Sequence, residues 1–163
     1  MKILNSFLLI LIAFTIFSCD EKRVFDQYKS VGTSWHKDSI VTFKLPKFDA
    51  TKKYNLFVNV RDNNDFPYSN LFIIVSLEQP NKKVKVDTLE YAMANLDGTL
   101  LGEGFTDVKE NKLFYKQNQS FALKGNYKIK IQQAVRQTGK IAGDKELKGI
   151  TEVGFRIEKV ASE

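Results

Sequence analysis

Cys19 is the residue of this 163-residue chain whose type and setting specify a reaction. It is the only cysteine, so no internal disulfide is open to it. An odd thiol in an exported chain either pairs with another chain or is used chemically. Ahead of it, Lys2 supplies one positive charge, and Ile3 to Phe17 run almost without strongly polar groups, Asn5, Ser6 and Thr15 excepted. This is the charged-then-apolar order of a secretory signal peptide. The apolar run is roughly 15 residues, short of the ~20 that a helix needs to cross a ~30 Å hydrocarbon core, so a transmembrane anchor is the weaker reading. The run ends in Ile16-Phe17-Ser18-Cys19, with a branched apolar residue three before the cysteine and a small one directly before it. That pattern resembles a lipobox, in which a diacylglyceryl group is attached to the cysteine sulfur before cleavage on its N-terminal side. Phe17 is bulkier than the usual residue there. The expectation is lipidation of Cys19 with fatty-acyl (palmitate-type) chains, each buried CH₂ contributing about 0.8 kcal/mol, so that two or more chains hold a protein stably. The chain then divides into a signal peptide, 1–18, and a lipid-anchored domain, 19–163.

The other reactive types point to no second chemistry. His36 is the single histidine; with no mature thiol free beside it, it cannot build a zinc site of the His/Cys kind. Ser34 and Ser39 are near it in sequence, but nothing has the form of a nucleophile elbow, so His36 reads as a surface residue at the start of a strand. Asp87 and Glu90 are three apart in a strand-like segment and face opposite sides. Asp97 precedes Gly98 and reads as a turn residue, and Asp107 and Glu110 flank a lysine in a loop. The oxygen-rich stretch Asp62 to Asp65 has no EF-hand spacing for calcium. No catalytic residue, metal ligand or cofactor site is therefore expected, and the protein reads as non-enzymatic. Trp35, Tyr68 and Tyr115 sit beside polar or turn residues and leave a second possibility open: a surface glycan-binding lipoprotein that stacks sugars on a sandwich face. The alternative is that the aromatics fill the core, and thirteen phenylalanines argue for that.

The elements that must carry these residues are strands. Val41, Phe43 and Leu45 alternate with polar neighbours; so do Tyr54, Leu56, Val58 and Val60, with Phe57 the exception. The same period of two runs through Tyr127, Ile129 and Ile131, and through Val153, Phe155 and Ile157. Leu71 to Val75 is continuously apolar and reads as a central strand covered on both sides. Val84 to Tyr91 and Leu113 to Leu123 give weaker strand signals. Turn chemistry at 62–67, Pro80-Asn81, Asp97-Gly98 and Gly125-Asn126 separates the pieces. Gln137 to Lys148 reads as an exposed loop with a helical turn near Asp144 to Lys148. The expected fold is all-β, an antiparallel sandwich of jelly-roll or Ig-like type in one domain.

Composition bounds the partners. The chain has 25 Lys+Arg against 19 Asp+Glu, and removing the signal peptide takes away only Lys2. The excess is modest and scattered, as on a solvated β-surface, and does not suggest nucleic-acid binding. The sequence names no small-molecule ligand.

Several segments, taken together, resemble the gliding-motility lipoprotein GldH family. They are Cys19-Asp20 with Val24 to Tyr28, Tyr54 to Arg61, Phe66 to Phe72, Asp87 to Ala94, Asp97 to Gly104, Gln133 to Arg136, and Gly149 to Gly154. They fall in order over nearly the whole mature chain; Thr99 and Val135 are mild departures. The resemblance implies a cell-envelope lipoprotein needed for gliding, an accessory or assembly factor tied to the type IX secretion apparatus. It brings no catalytic residues. Its partners would be the membrane, through the lipid on Cys19, and other envelope gliding lipoproteins. The periplasmic face of the outer membrane is the expected location. Asp20 keeps the inner membrane open, because some bacteria retain lipoproteins there on that residue.

Overall fold

Alternating sequence becomes paired strand throughout the computed structural model, which describes residues 20–160 apart from 105, 137, 138, 140 and 141. Cys19 and the signal segment lie outside the described residues. The strands are β1 (Arg23–Ser30), β2 (Ser34–His36), β3 (Val41–Lys44), β4 (Tyr54–Asp62) and β5 (Asn70–Glu78), then β6 (Val84–Ala92), β7 (Lys109–Gln119), β8 (Lys128–Gln133), β9 (Glu146–Lys148) and β10 (Ile150–Lys159). All pairings are antiparallel, and they nest: β1 with β10, β2 with β9, β3 with β8, β4 with β7, β5 with β6. The chain is thus one long hairpin with its tip at 79–83. The ribbon is rolled so that β4 also joins β10 and β5 also joins β8. Two four-stranded sheets result, β1-β10-β4-β7 and β3-β8-β5-β6, with β2-β9 as a short pair between them in sequence. That interleaving is the jelly roll, which decides between the two sandwich types expected.

The core lies between the sheets. Leu56, Val58 and Val60 of β4 and Val153, Phe155 and Ile157 of β10 meet Leu71, Ile73 and Val75 of β5 and Ile129 and Ile131 of β8, all of them fully buried. Each such side chain contributes roughly 1.5–3 kcal/mol by leaving water. Phe43 stacks on Phe155 at 6.3 Å between centroids, and Phe48 on Phe121 at 3.8 Å. The free edges β7 and β6 are stapled across the sandwich: Tyr115 donates to Asp87 at 2.6 Å and Tyr91 to the Phe114 carbonyl at 2.6 Å.

Three expectations change. β5 is central in its sheet, but only one face is covered: Leu71, Ile73, Val75 and Leu77 are buried, while Phe72 and Ile74 are half-buried on the outer side. Its apolar run reflects position between two strands rather than a layer on each face. The 144–148 stretch is not helical. Glu146–Lys148 pairs with Ser34–His36, and Leu147 is fully buried against the core. The seventh strand starts four residues earlier than Leu113, so Glu110 is in a strand and not a loop.

Candidate functional site

The densest array of interacting side chains lies on the outer face of the β1-β10-β4-β7 sheet. Residues in direct register share a face, and three rows cross it. One runs Ser30, Glu152, Arg61, Glu110; the next Tyr28, Gly154, Asn59, Lys112; the third Asp26, Arg156, Phe57, Phe114. Phe57, the exception to the alternation of β4, belongs here and meets Phe114 edge-on at 5.8 Å.

Gly154 makes the middle row possible. A Cβ at that position would sit 2.8 Å from the Tyr28 ring, so the ring lies across the glycine and reaches the far strands. The Tyr28 hydroxyl accepts from Asn59 Nδ2 at 2.8 Å and donates to Glu110 Oε1 at 2.8 Å. Arg61 lies 4.4 Å above the Tyr28 ring and donates to Glu110 at 3.0 Å and Glu152 at 2.5 Å. Burial and the Glu110 carboxylate push the Tyr28 hydroxyl well above the usual phenol range. Glu152 and Glu110 hold the Arg61 guanidinium more firmly charged. Tyr28 is thus a fixed neutral hydroxyl, not a general base.

A second cation organises the third row. Arg156 donates to Asp26 at 2.7 Å and Glu158 at 2.6 Å, and also pairs with Asp20. Burial works against its charge, but these three carboxylates outweigh burial and raise its pKa. Lys112 donates to Glu158 at 2.6 Å and lies 4.2 Å above the Phe57 ring. Arg156 therefore ties Asp20, the residue next to Cys19, to the sheet. Beside the face, Gly102 and Gly104 fold over β7 through the Glu103–Glu110 bridge and border an open cleft of about 790 Å³. Its floor includes Asn111, which donates to the fully buried Asp62 at 2.8 Å.

The structure scatters the other candidates. Trp35 is fully buried and donates from Nε1 to the Ser39 carbonyl at 2.9 Å, and Tyr115 is buried against Asp87. Tyr68 is half-buried and donates to Asp144. Trp35 and Tyr115 are part of the core and Tyr68 packs half-buried against it, so the three form no exposed sugar-stacking platform. His36 is partly exposed, 3.8 Å from both Asp38 and Glu146. Asp87 and Glu90 diverge, Asp87 held by Tyr115 and Lys116 and Glu90 by Asn70. Asp97 caps its own turn by accepting from the Thr99 amide and hydroxyl. Asp107 is exposed. Asp62 ends a strand facing inward, while Asp65 is exposed, so the 62–65 carboxylates do not converge. Among the described residues, no group of three or more His, Cys, Asp or Glu side chains is placed to hold a metal ion, and no helix is long and apolar enough to cross a membrane. Cys19, the one residue the sequence assigns a reaction, lies outside the described residues.

Sequence reasoning missed the Tyr28–Arg61–Glu110–Glu152 array, because its members come from four strands. Gly154 was the available signal: a glycine inside a clean alternation marks a close approach.

A family model described as GldH lipoprotein matches residues 23–157. A gliding motility lipoprotein GldH of Flavobacterium johnsoniae is 64% identical over 159 residues, 98% of this chain and 99% of the relative. A gliding motility lipoprotein GldH homolog of Christiangramia forsetii is 53% identical, covering 95% and 97%. Among solved structures, the VP2 subviral particle of infectious bursal disease virus overlaps with a TM-score of 0.37 at 14% identity, covering 88% of this chain and 40% of that one. Overlap so slight adds nothing to the fold read from strand order.

Proposed function

The chain belongs to the GldH lipoprotein family, and from that premise we propose that it is a non-enzymatic envelope lipoprotein that supports gliding by docking a neighbouring protein on the outer face of its β1-β10-β4-β7 sheet. The lipid on Cys19 tethers it, at the periplasmic face of the outer membrane, as an accessory or assembly factor of the gliding and type IX secretion machinery. The observation that carries the docking role is the array around Tyr28 and Arg61. It is an ion-paired surface on which carboxylates outnumber cations, with an exposed aromatic, Phe114, at its margin and a cleft alongside. Preorganised aromatic and arginine groups of this kind serve protein recognition, since little side-chain freedom remains to be lost on binding. The same array supports a non-enzymatic reading. Glu110, Glu152, Glu158 and Asp26 are each engaged in an ion pair with Arg61, Lys112 or Arg156, so none stands as an unpaired carboxylate over an open cleft.

The tether is tested by fractionation. The Cys19→Ser protein, with residues 1–18 replaced by a leader cleaved without lipidation, is expected to move from the membrane pellet to the soluble fraction, because neither acyl chains nor the apolar 3–17 run then holds it. A variant that still sediments with membranes contradicts the anchor. Deleting the gene is expected to abolish colony spreading and to impair secretion through the type IX route; normal spreading with normal secretion would sink the gliding role.

A further inference from the structure

The N-terminus emerges at one end of the sandwich, and that end is built for a charged surface. The Arg23 amide bonds the Asp20 carbonyl, the Lys159 amide the Lys22 carbonyl, and the Val160 amide the Lys53 carbonyl. These bonds set the chain start and the close of β10 against the 45–53 connection. Phe48 of that connection stacks on Phe121 of the 120–127 connection, and Gly125 packs against Pro80 of the 79–83 hairpin tip. Three loops and the N-terminus thus form one continuous surface. It carries Lys47, Lys52, Lys53, Lys82, Lys83 and Lys124, all exposed. Against them stand Asp20, already bound by Arg156, Glu21, Asp49, which lies 3.7 Å from Lys52, and Glu78, which lies 4.0 Å from Lys82. At the opposite end carboxylates such as Asp65, Asp97 and Asp107 outnumber the cations among the described residues. The modest net charge of the whole chain hides this polarity.

Between the lysines lies an apolar cleft of about 470 Å³, floored by Phe48, Phe121 and Tyr127, with Lys47 and Lys124 among its lining residues. Leu123, 41% exposed, stands at its edge. The cleft opens on the same surface, so an apolar recess and Leu123 lie on the same side as the lysines.

We propose that this end is a membrane-docking surface: its lysines seat on the phosphates of anionic lipids while Leu123 and the Phe48–Phe121 cleft meet the interfacial region. The proposal rests on the reading that Cys19 carries the lipid. Cys19 directly precedes Asp20, whose side chain Arg156 holds to the sheet, so an acylated Cys19 keeps this surface within reach of the headgroups. A lysine close to an anionic leaflet shifts the docked-to-free ratio by roughly fivefold, an effect that falls off over a Debye length and so weakens as salt shortens that length. Docking would fix the orientation of the sandwich and present the Tyr28–Arg61 face sideways to neighbours in the membrane plane.

The test uses the lipidated protein in nanodiscs of phosphatidylcholine alone or with phosphatidylglycerol. The native thiol is acylated, so a new cysteine takes a fluorophore alone; Ala122→Cys places it at the cleft and Leu96→Cys at the far end. Nitroxide-headgroup lipids are expected to quench the label at 122 strongly in anionic discs, weakly in neutral discs, and hardly at 96. High salt, or Lys47→Glu with Lys83→Glu and Lys124→Glu, is expected to remove the difference, the ratio falling roughly fivefold per unit of charge and so about 25-fold per lysine reversed. Equal quenching at 122 in both lipids overturns the proposal, as does quenching at 96 instead. The salt comparison decides it should the triple variant fail to fold. An intact mass lacking acyl chains overturns the anchor alone. The same comparison on the Cys19→Ser protein, labelled at 122 and added to preformed discs, still reads the surface.

Discussion

Gly149→Ala is expected to cost the domain about 3 kcal/mol of stability, the largest effect of any single methyl group added to this fold. Gly149 joins β9 to β10 with φ +80, and a Cβ there would lie 2.1 Å from the Phe66 amide nitrogen and 2.4 Å from its Cα. These are backbone atoms, so no side-chain rotation relieves the clash. The Gly149 carbonyl also accepts from the Asn63 amide at 2.8 Å, which fixes the 63–66 turn that the alanine would push away. An L-residue at such a φ costs roughly 1–2 kcal/mol, and overpacking adds roughly 1–3. For a chain of this size each kcal/mol moves Tm by roughly 2–4 °C, so thermal unfolding should fall by about 6–12 °C. A variant with unchanged Tm would show that the two turns do not pack as described.

The second large effect is a pH dependence set by Asp62. Its side chain is fully buried at the end of β4; Oδ1 accepts from Asn111, and Oδ2 has no partner among the described residues. Burial pushes its pKa up to about 6 from the ordinary 3.8, against the smaller opposing effects of its own backbone amide and Asn111. A carboxyl that binds its proton more tightly when folded stabilises the fold most below the unfolded pKa. That contribution is lost as pH rises from about 4 to about 6, and is absent above. The span amounts to about 3 kcal/mol. Denaturant unfolding should therefore show stability increasing as pH falls from 7 towards 4.5. Below that, Asp87 and Glu158 work the other way: their pKa values are lowered by Lys116 and Lys112, so their stabilisation is lost on further acidification. Asp62→Asn should flatten the limb between pH 4.5 and 7 and leave the acid limb intact. A wild-type curve already flat between pH 4.5 and 7 would contradict the assignment.

Asp62 also shows why the sequence yielded some of this architecture and not the rest. The alternation in 54–60 names the inward residues of β4, and continuing the count puts Asp62 inward too. Its setting in an Asp-Asn-Asn-Asp run instead suggested a solvated turn, because turn composition and strand parity give opposite answers there. Parity was right for β3, β4, β8 and β10, each of which has one face in the core. It failed for β9, where a single buried residue, Leu147, carries the strand and three residues are too few to show a period. The Tyr28–Arg61–Glu110–Glu152 array was beyond local reading for a different reason. β1 and β10 pair across almost the whole chain length, and only the roll sets the β4–β7 pair beside β10. Outward residues carry no hydrophobic period, so nothing local distinguishes Arg61 from a solvated arginine. The lysine-rich end was hidden in the same way: its loops are scattered in sequence and gathered by the roll.

The proposal that the β1-β10-β4-β7 sheet is the working face of a tethered domain is tested most directly by site-specific photo-crosslinking in gliding cells. A photoreactive residue at Phe114, half exposed on the working face, is compared with one at Val86, similarly exposed on the opposite sheet. A discrete envelope-protein adduct is expected from position 114, lost in an Arg61→Ala, Tyr28→Phe background that still folds and fractionates with membranes. An adduct from position 86 alone, or one from position 114 that survives those substitutions, would contradict it.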